Sequence, residues 1–148
     1  MSSYLRCLIV LLLAGLGLTG CSSAKPQPVP TEIALQKLSV LYGQYLSSHR
    51  GKSPEDQAEF RKYIEGLSET DRQNRGISDI SQIFLSPRDG QAYVVRYGVK
   101  PGVPGPDGVP WVAHEKEGQG GKRFVAFVTG QIEEVDEPRF WKITHGAK

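Results

Sequence analysis

Three groups of side chains in this sequence could do chemistry, and they lie far apart along the chain. The thiol of Cys21 follows the small residue Gly20 at the end of an apolar run, where it could accept an acyl chain. Imidazoles could bind a metal ion or transfer a proton, and carboxylates near the C-terminus could hold a cation. The imidazoles belong to His49, His114 and His145, and the carboxylates belong to Glu133, Glu134, Asp136 and Glu137.

The histidines and the acidic cluster do not form a recognisable metal or acid–base site. The three histidines fall in different predicted elements and share no metal-ligand spacing. Strand alternation sends Glu133 and Glu134 to opposite faces, whereas Asp136 and Glu137 suit the start of a helix. We therefore expect the histidines and these carboxylates to be solvated surface groups, and we predict neither a metal site nor a cofactor.

Catalytic motifs are also lacking in the sequence. It contains no Gly-x-Ser-x-Gly segment, and Gly118–Gly121 is not followed by the Lys-Ser or Lys-Thr pair of a phosphate loop. The sequence therefore favours a protein that is not an enzyme. The alternative is a periplasmic enzyme or carbohydrate-binding domain that uses the 98–110 loop and Trp111, whose ring could stack on a sugar, although such a tryptophan is more often a core residue.

The N-terminal residues have the composition of an export signal. Residues 1–6 carry a single charge, at Arg6, and the 12 apolar residues Cys7–Leu18 follow. A transmembrane helix needs about 20 apolar residues, so this segment is too short to be a permanent membrane span. The pattern predicts a signal peptide.

The tetrapeptide Leu18-Thr19-Gly20-Cys21 resembles the lipobox of bacterial lipoproteins. The resemblance implies cleavage before Cys21, several acyl chains on that residue and stable attachment to a membrane. An ordinary signal peptide, with Cys21 merely near the cleavage site, is the alternative. Ser22 follows the cysteine where an aspartate would signal retention, which by resemblance to the enterobacterial sorting rule implies the outer membrane, facing the periplasm.

The chain divides into three parts at these signals. We predict a lipoprotein signal peptide over 1–20, a lipidated cysteine with a proline-rich tether over 21–30, and a single domain over 31–148. Without the leader the net charge is +1, so no nucleic-acid partner is expected. The other cysteine, Cys7, lies in the leader, so the domain must be stable without a disulfide.

Helical patterns occupy the first half of the domain. Thr31 is predicted to cap a helix that runs to about His49 and buries one apolar stripe, which includes Leu38, Leu41 and Tyr45. Ser53-Pro54-Glu55-Asp56 predicts a second helix start, with Ser53 as the cap. The polar stretch from Ser68 to Gly76 is predicted as a connection, and the spacing over 77–84 favours a short helix.

Strand patterns fill the second half. The strands are predicted at Tyr93–Tyr97, Trp111–Glu115, Arg123–Val128 and Ile132–Val135, and Asp136 is predicted to cap a short final helix. Apolar residues on both faces of Arg123–Val128 predict a central strand that is covered on both sides. The fold class is therefore α+β: N-terminal amphipathic helices packed on an antiparallel sheet of about four strands. The Gly- and Pro-rich residues 98–110 predict a long mobile loop, which we expect to contact a partner together with Tyr97 and Trp111.

Three stretches of the domain resemble the globular part of type IV pilins and type II secretion pseudopilins. They are the helix Ala34–Gly51, the turn and strand Ser86–Tyr97, and the strand-turn-strand from Gly121 to Phe140. Pilins polymerise through an apolar N-terminal helix that they keep, whereas the lipobox implies that this chain loses its apolar segment. The resemblance therefore implies a lipid-anchored relative of the globular domain rather than a fibre subunit.

The order of helices before an antiparallel sheet is also similar to outer-membrane assembly lipoproteins of the BamE type, although their glycine-containing helix motif is absent here. The predicted anchor, the proline-rich tether and the lack of catalytic motifs in the domain together predict a non-enzymatic envelope lipoprotein. Its expected partners are the membrane, through lipid on Cys21, and another envelope protein.

Overall fold

The computed structural model describes residues 29–99 and 108–146. Cys21 with its leader and most of the tether, and residues 100–107 of the predicted loop, lie outside the described residues. The fold is α+β, as the sequence predicts. The helices are α1 (Pro30–Ser48), α2 (Gln57–Glu65), α3 (Glu69–Asn74), a 3-10 helix (Ile80–Phe84) and α4 (Glu137–His145), and the strands are β1 (Val94–Val95), β2 (Trp111–His114), β3 (Lys122–Phe127) and β4 (Ile132–Asp136).

The four strands form one antiparallel sheet in the order β1-β2-β3-β4. Strand β3 is central, and its side chains alternate between two apolar clusters. Phe124 and Ala126 belong to the main core beneath α1 and α2, while Val125 and Phe127 belong to a second core beneath α4. The predicted two-faced central strand is thereby confirmed, and the sheet lies between two helical layers.

The longest helix, α1, provides much of the main core. Its buried side chains recur every three or four residues, which places them on one side of the helix. Ser39 Oγ donates a hydrogen bond to the Phe127 carbonyl and Tyr42 Oη donates to the Arg96 carbonyl, so polar groups also join α1 to the sheet region. The buried side chains include Leu35, Leu38, Leu41, Tyr42 and Tyr45.

The predicted N-caps of the first two helices are wrong. Helix α1 begins at Pro30, because proline at the first helical position needs no amide donor, and Thr31 is buried inside the helix instead of capping it. Helix α2 is capped by Asp56, which accepts a hydrogen bond from the Glu59 amide. Ser53, the expected cap, is bonded to Val99.

Two other boundaries also differ from the prediction. The stretch from Ser68 to Gly76 contains helix α3, in which Ser68 caps the amide of Asp71. Strand β1 has only two residues instead of the predicted Tyr93–Tyr97, because the Tyr93 amide bonds to the Phe84 carbonyl rather than to β2. The predicted cap at Asp136 is confirmed, since its carboxylate accepts from the Arg139 amide.

Candidate functional site

Tyr97 and Trp111, the residues expected to contact a partner, pack against different cores. Tyr97 lies against the main core, and Trp111 lies against the second core together with Val109. The Trp111 ring is half-buried; the Arg96 guanidinium lies 5.2 Å from its centroid and the His114 ring 5.3 Å away. The two residues therefore do not form one surface, and their role in partner binding stays a prediction.

The described ends of the 98–110 loop are tied to the rest of the domain. The Ser53 hydroxyl accepts from the Val99 amide at 2.8 Å and donates to the Val99 carbonyl at 2.9 Å. At the other end, the Pro110 carbonyl accepts from the Val128 amide at 2.9 Å. The predicted mobility of the loop concerns 100–107, which lie outside the described residues.

His114 is buried, with 8% of its surface exposed, so its predicted place on the solvated surface is wrong. The register of β2 against β3 shifts between Trp111 and Ala113, and such a bulge breaks the alternation of a strand. His114 pairs with Val125 and so faces the second core, where its ring centroid lies 4.8 Å from that of Phe140. His49 and His145 are exposed, as predicted.

The proton of the His114 ring can be placed from its hydrogen bond. Nδ1 lies 2.7 Å from the backbone oxygen of Glu115, which only accepts, so Nδ1–H is the donor. Burial lowers the pKa of His114 below its ordinary value of 6.5, the backbone hydrogen bond opposes this change, and nearby Arg123 and His145 add to it. The neutral ring is therefore the form that suits this position.

The acidic cluster is engaged by basic side chains rather than open to a cation. Glu133 pairs with Arg139 at 3.1 Å, Glu134 with Arg88 at 3.1 Å, and Glu137 with Arg123 at 2.6 Å. Asp136 caps α4. Within residues 29–99 and 108–146, no group of three histidine, cysteine or acidic side chains could hold a metal ion.

The buried carboxylate of Glu115 was missed by sequence reasoning. It has no exposed surface, and it accepts hydrogen bonds from Ser86 Oγ at 3.1 Å, Arg88 Nε at 3.0 Å and the Phe124 amide at 2.9 Å. Arg88 Nη2 also pairs with it, and the guanidinium lies 4.8 Å from the Phe124 ring centroid. Internal donors thus occupy this carboxylate, which suits a structural link between the 86–90 turn and the sheet rather than a catalytic base.

The outward side of α1 carries exposed aliphatic side chains. Val29, Ile33 and Val40 have 46%, 40% and 39% of their surface exposed. The separation of seven residues places Ile33 and Val40 on one side of the helix, and Val29 lies just before its first turn. We call these three residues the α1 stripe. The core does not require them, because the buried side chains of α1 lie elsewhere on the helix.

Shallow grooves lie beside the α1 stripe. Two of about 340 and 240 Å³ share Ile33, Lys37 and Ile77 among their lining residues. A third, of about 410 Å³, lies between Val40 and the turn that joins β3 to β4. The surface of α1 therefore combines exposed aliphatic groups with concave space beside them.

A second exposed apolar group lies on α4. Half of the Trp141 surface is exposed. Its indole Nε1 donates to Glu137 Oε1 at 2.9 Å, and its ring centroid lies 4.2 Å from that of His145. The buried residues of α4 are Phe140 and Ile143, so Trp141 lies outside the apolar contact between this helix and the sheet.

No family model matches the chain, and no curated protein or solved structure is significantly similar to it. Within the described part of the chain, no helix has the length and apolar character needed to cross a membrane.

Proposed function

We propose that this chain is a lipid-anchored protein of the bacterial cell envelope whose domain binds another envelope protein and has no catalytic role. The lipobox-like Leu18–Cys21 supports the anchor. Ser22 supports a position on the outer membrane, facing the periplasm. The α1 stripe is the observation that carries the binding role. The resemblance to pilin and pseudopilin domains belongs to this proposal as a likeness of the globular part alone.

The α1 stripe supports protein binding because the fold gains nothing from exposing it. Burying an aliphatic side chain in a contact is favourable by about 25 cal/mol of free energy for each Å² of apolar surface removed from water. Three such side chains beside concave space suit an apolar strand or helix of a partner, in the manner of helix-in-groove recognition. The groove of about 240 Å³ is lined by Lys37 and Arg75 without an acidic residue, which favours a partner with acidic groups next to its apolar ones.

The length of the tether limits the distance between the α1 stripe and the membrane. Eight residues lie between Cys21 and Pro30, the first residue of α1. At about 3 Å per residue for a proline-rich segment, the start of α1 lies within roughly 30 Å of the lipid. The expected partner is therefore a membrane protein or another protein held close to the same membrane.

The alternative, an enzyme or carbohydrate-binding domain built on the 98–110 loop and Trp111, has less support from the geometry. Arg96 lies over the Trp111 ring and His114 lies beside it. A sugar would need an open face of that ring for stacking. Among the described residues on this side of the sheet, the aromatic ring that is exposed belongs to Trp141 rather than to Trp111.

The first test of the proposal is Cys21→Ser. We expect this variant to lose acyl labelling and to accumulate as unprocessed or soluble material, because the acylated thiol is gone. Metabolic labelling with a fatty-acid analogue and membrane fractionation measure both effects. Cys7→Ser is the matched control and should be labelled and retained like the wild type. Normal processing and membrane retention of Cys21→Ser would refute the anchor.

The second test places a photo-crosslinking residue at Ile33 in living cells. We expect a protein adduct whose yield falls at least about tenfold when Val40→Asp is added, as loss of a central contact worth roughly 1.4 kcal/mol would do. Ala58→Asp makes the same change of charge on an exposed position of α2 and should leave the adduct intact. Equal yields in both variants, or glycan as the sole captured species, would contradict protein binding at the α1 stripe.

A further inference from the structure

We propose that His114 makes the docking of α4 sensitive to acid, so that mild acidification releases this helix from the sheet. The inference concerns the folded domain alone and does not depend on lipidation of Cys21 or on the α1 stripe. It is carried by the position of a buried imidazole between β2 and the last helix.

Helix α4 is held by a small set of apolar contacts, together with two ion pairs that join it to the sheet, Glu137 with Arg123 and Arg139 with Glu133. It has nine residues, and of these Phe140 and Ile143 are buried against the second core. The His114 ring meets the edge of Phe140 at 4.8 Å and lies in the same layer, so the imidazole is part of the docking surface. A change in its charge therefore acts directly on the contact between α4 and the sheet.

The groups around His114 disfavour a positive charge there. The basic groups Arg123 from β3 and His145 from α4 both act against it. Glu133 of β4 lies opposite Val125, on the side of the sheet that His114 faces, and its carboxylate is paired with Arg139 of α4 at 3.1 Å. The carboxylate nearest in sequence, Glu115, is committed to Arg88, and Glu137 of α4 is paired with Arg123 at 2.6 Å. Among the described contacts, none joins the imidazole to a carboxylate that could balance a second proton.

The sign of the pH effect follows from burial. Burial lowers the pKa of His114 in the docked state, whereas release of α4 returns it toward the ordinary value of 6.5. The released state therefore binds more protons at mildly acidic pH. Docking is fully favourable above about pH 7 and weakens as the pH falls below 6.5, until the pKa of the docked state is reached.

Release of α4 would uncover the apolar face beneath it. Val125, Phe127 and Val135 are buried in that face and come from β3 and β4, which both contact α4. A contiguous apolar surface of this kind is a site for association with another molecule. The acid-released state should therefore associate more readily than the docked state.

Hydrogen exchange of the full-length protein in detergent tests the proposal. Protection factors, which correct for the intrinsic pH dependence of exchange, are measured for residues 137–145 and for α1 between pH 7.5 and 5.5. We expect protection of 137–145 to fall severalfold across this range while protection of α1 stays constant. Constant protection of both segments, or an equal loss in both, would overturn the proposal.

Two variants separate His114 from other titrating groups. His114→Phe keeps an uncharged ring at every pH, and His114→Asn keeps a donor for the Glu115 carbonyl. Both should make protection of 137–145 independent of pH, with protection of α1 at pH 7.5 serving as the check that each variant is folded. His145→Gln should retain most of the pH dependence. A wild-type-like fall in a folded His114→Phe or His114→Asn protein would assign the effect to another group.

Discussion

Arg88→Ala is expected to lower the free energy of unfolding by about 3–5 kcal/mol, because it leaves a buried carboxylate without its cation. Glu115 has no exposed surface, and Arg88 supplies two of its hydrogen bonds. The remaining donors, Ser86 and the Phe124 amide, are neutral. Urea denaturation followed by circular dichroism measures the change.

Matched controls show whether burial is the cause. Glu134→Ala removes the more exposed partner of Arg88 and should cost below about 1 kcal/mol, as should Arg61→Ala, which breaks a solvent-exposed pair with Glu65. A loss no larger than that of Glu134→Ala at pH 7 would mean that the buried pair contributes little.

The elements with strong local signals were predictable from sequence. The helical spacing of Leu38, Leu41 and Tyr45 predicted the buried side of α1, and alternation in β3 predicted a strand covered on both faces. The cap at Asp136 was predicted because it depends on residues within one helical turn. In each case the pattern that forms the element lies within the element itself.

The errors arise where distant residues decide the outcome. His114 faces the second core because a bulge in β2 changes the direction of its side chain, and the sequence of a four-residue strand does not signal a bulge. Glu115 is buried because Arg88 pairs with it from 27 residues away. Helix α3 was missed because it has no buried residue and therefore no apolar stripe.

The anchor and the candidate binding surface show the same difference between local signals, which the sequence contains, and contacts that depend on the folded structure. The cysteine signal is a local tetrapeptide and can be read directly, so the anchor was predicted from sequence. Ile33 and Val40 are ordinary apolar residues in a helical pattern, and only the packing of α1 reveals that they are exposed while Leu38 is buried. The sequence instead predicts Tyr97 and Trp111 as the partner contacts, because aromatic residues flanking a Gly- and Pro-rich loop are typical of contact surfaces.

Leu38→Ala is expected to lower the free energy of unfolding by about 2–5 kcal/mol, the range for truncating a large side chain in a packed core. Leu38 has no exposed surface and belongs to the main core between α1 and the sheet. Val40→Ala, two residues away on the exposed side of the same helix, should cost below about 0.5 kcal/mol, because alanine suits a helix and little buried contact is lost. Urea denaturation of both variants beside the wild type gives the two differences, and equal losses would show that the buried and exposed sides of α1 are wrongly assigned.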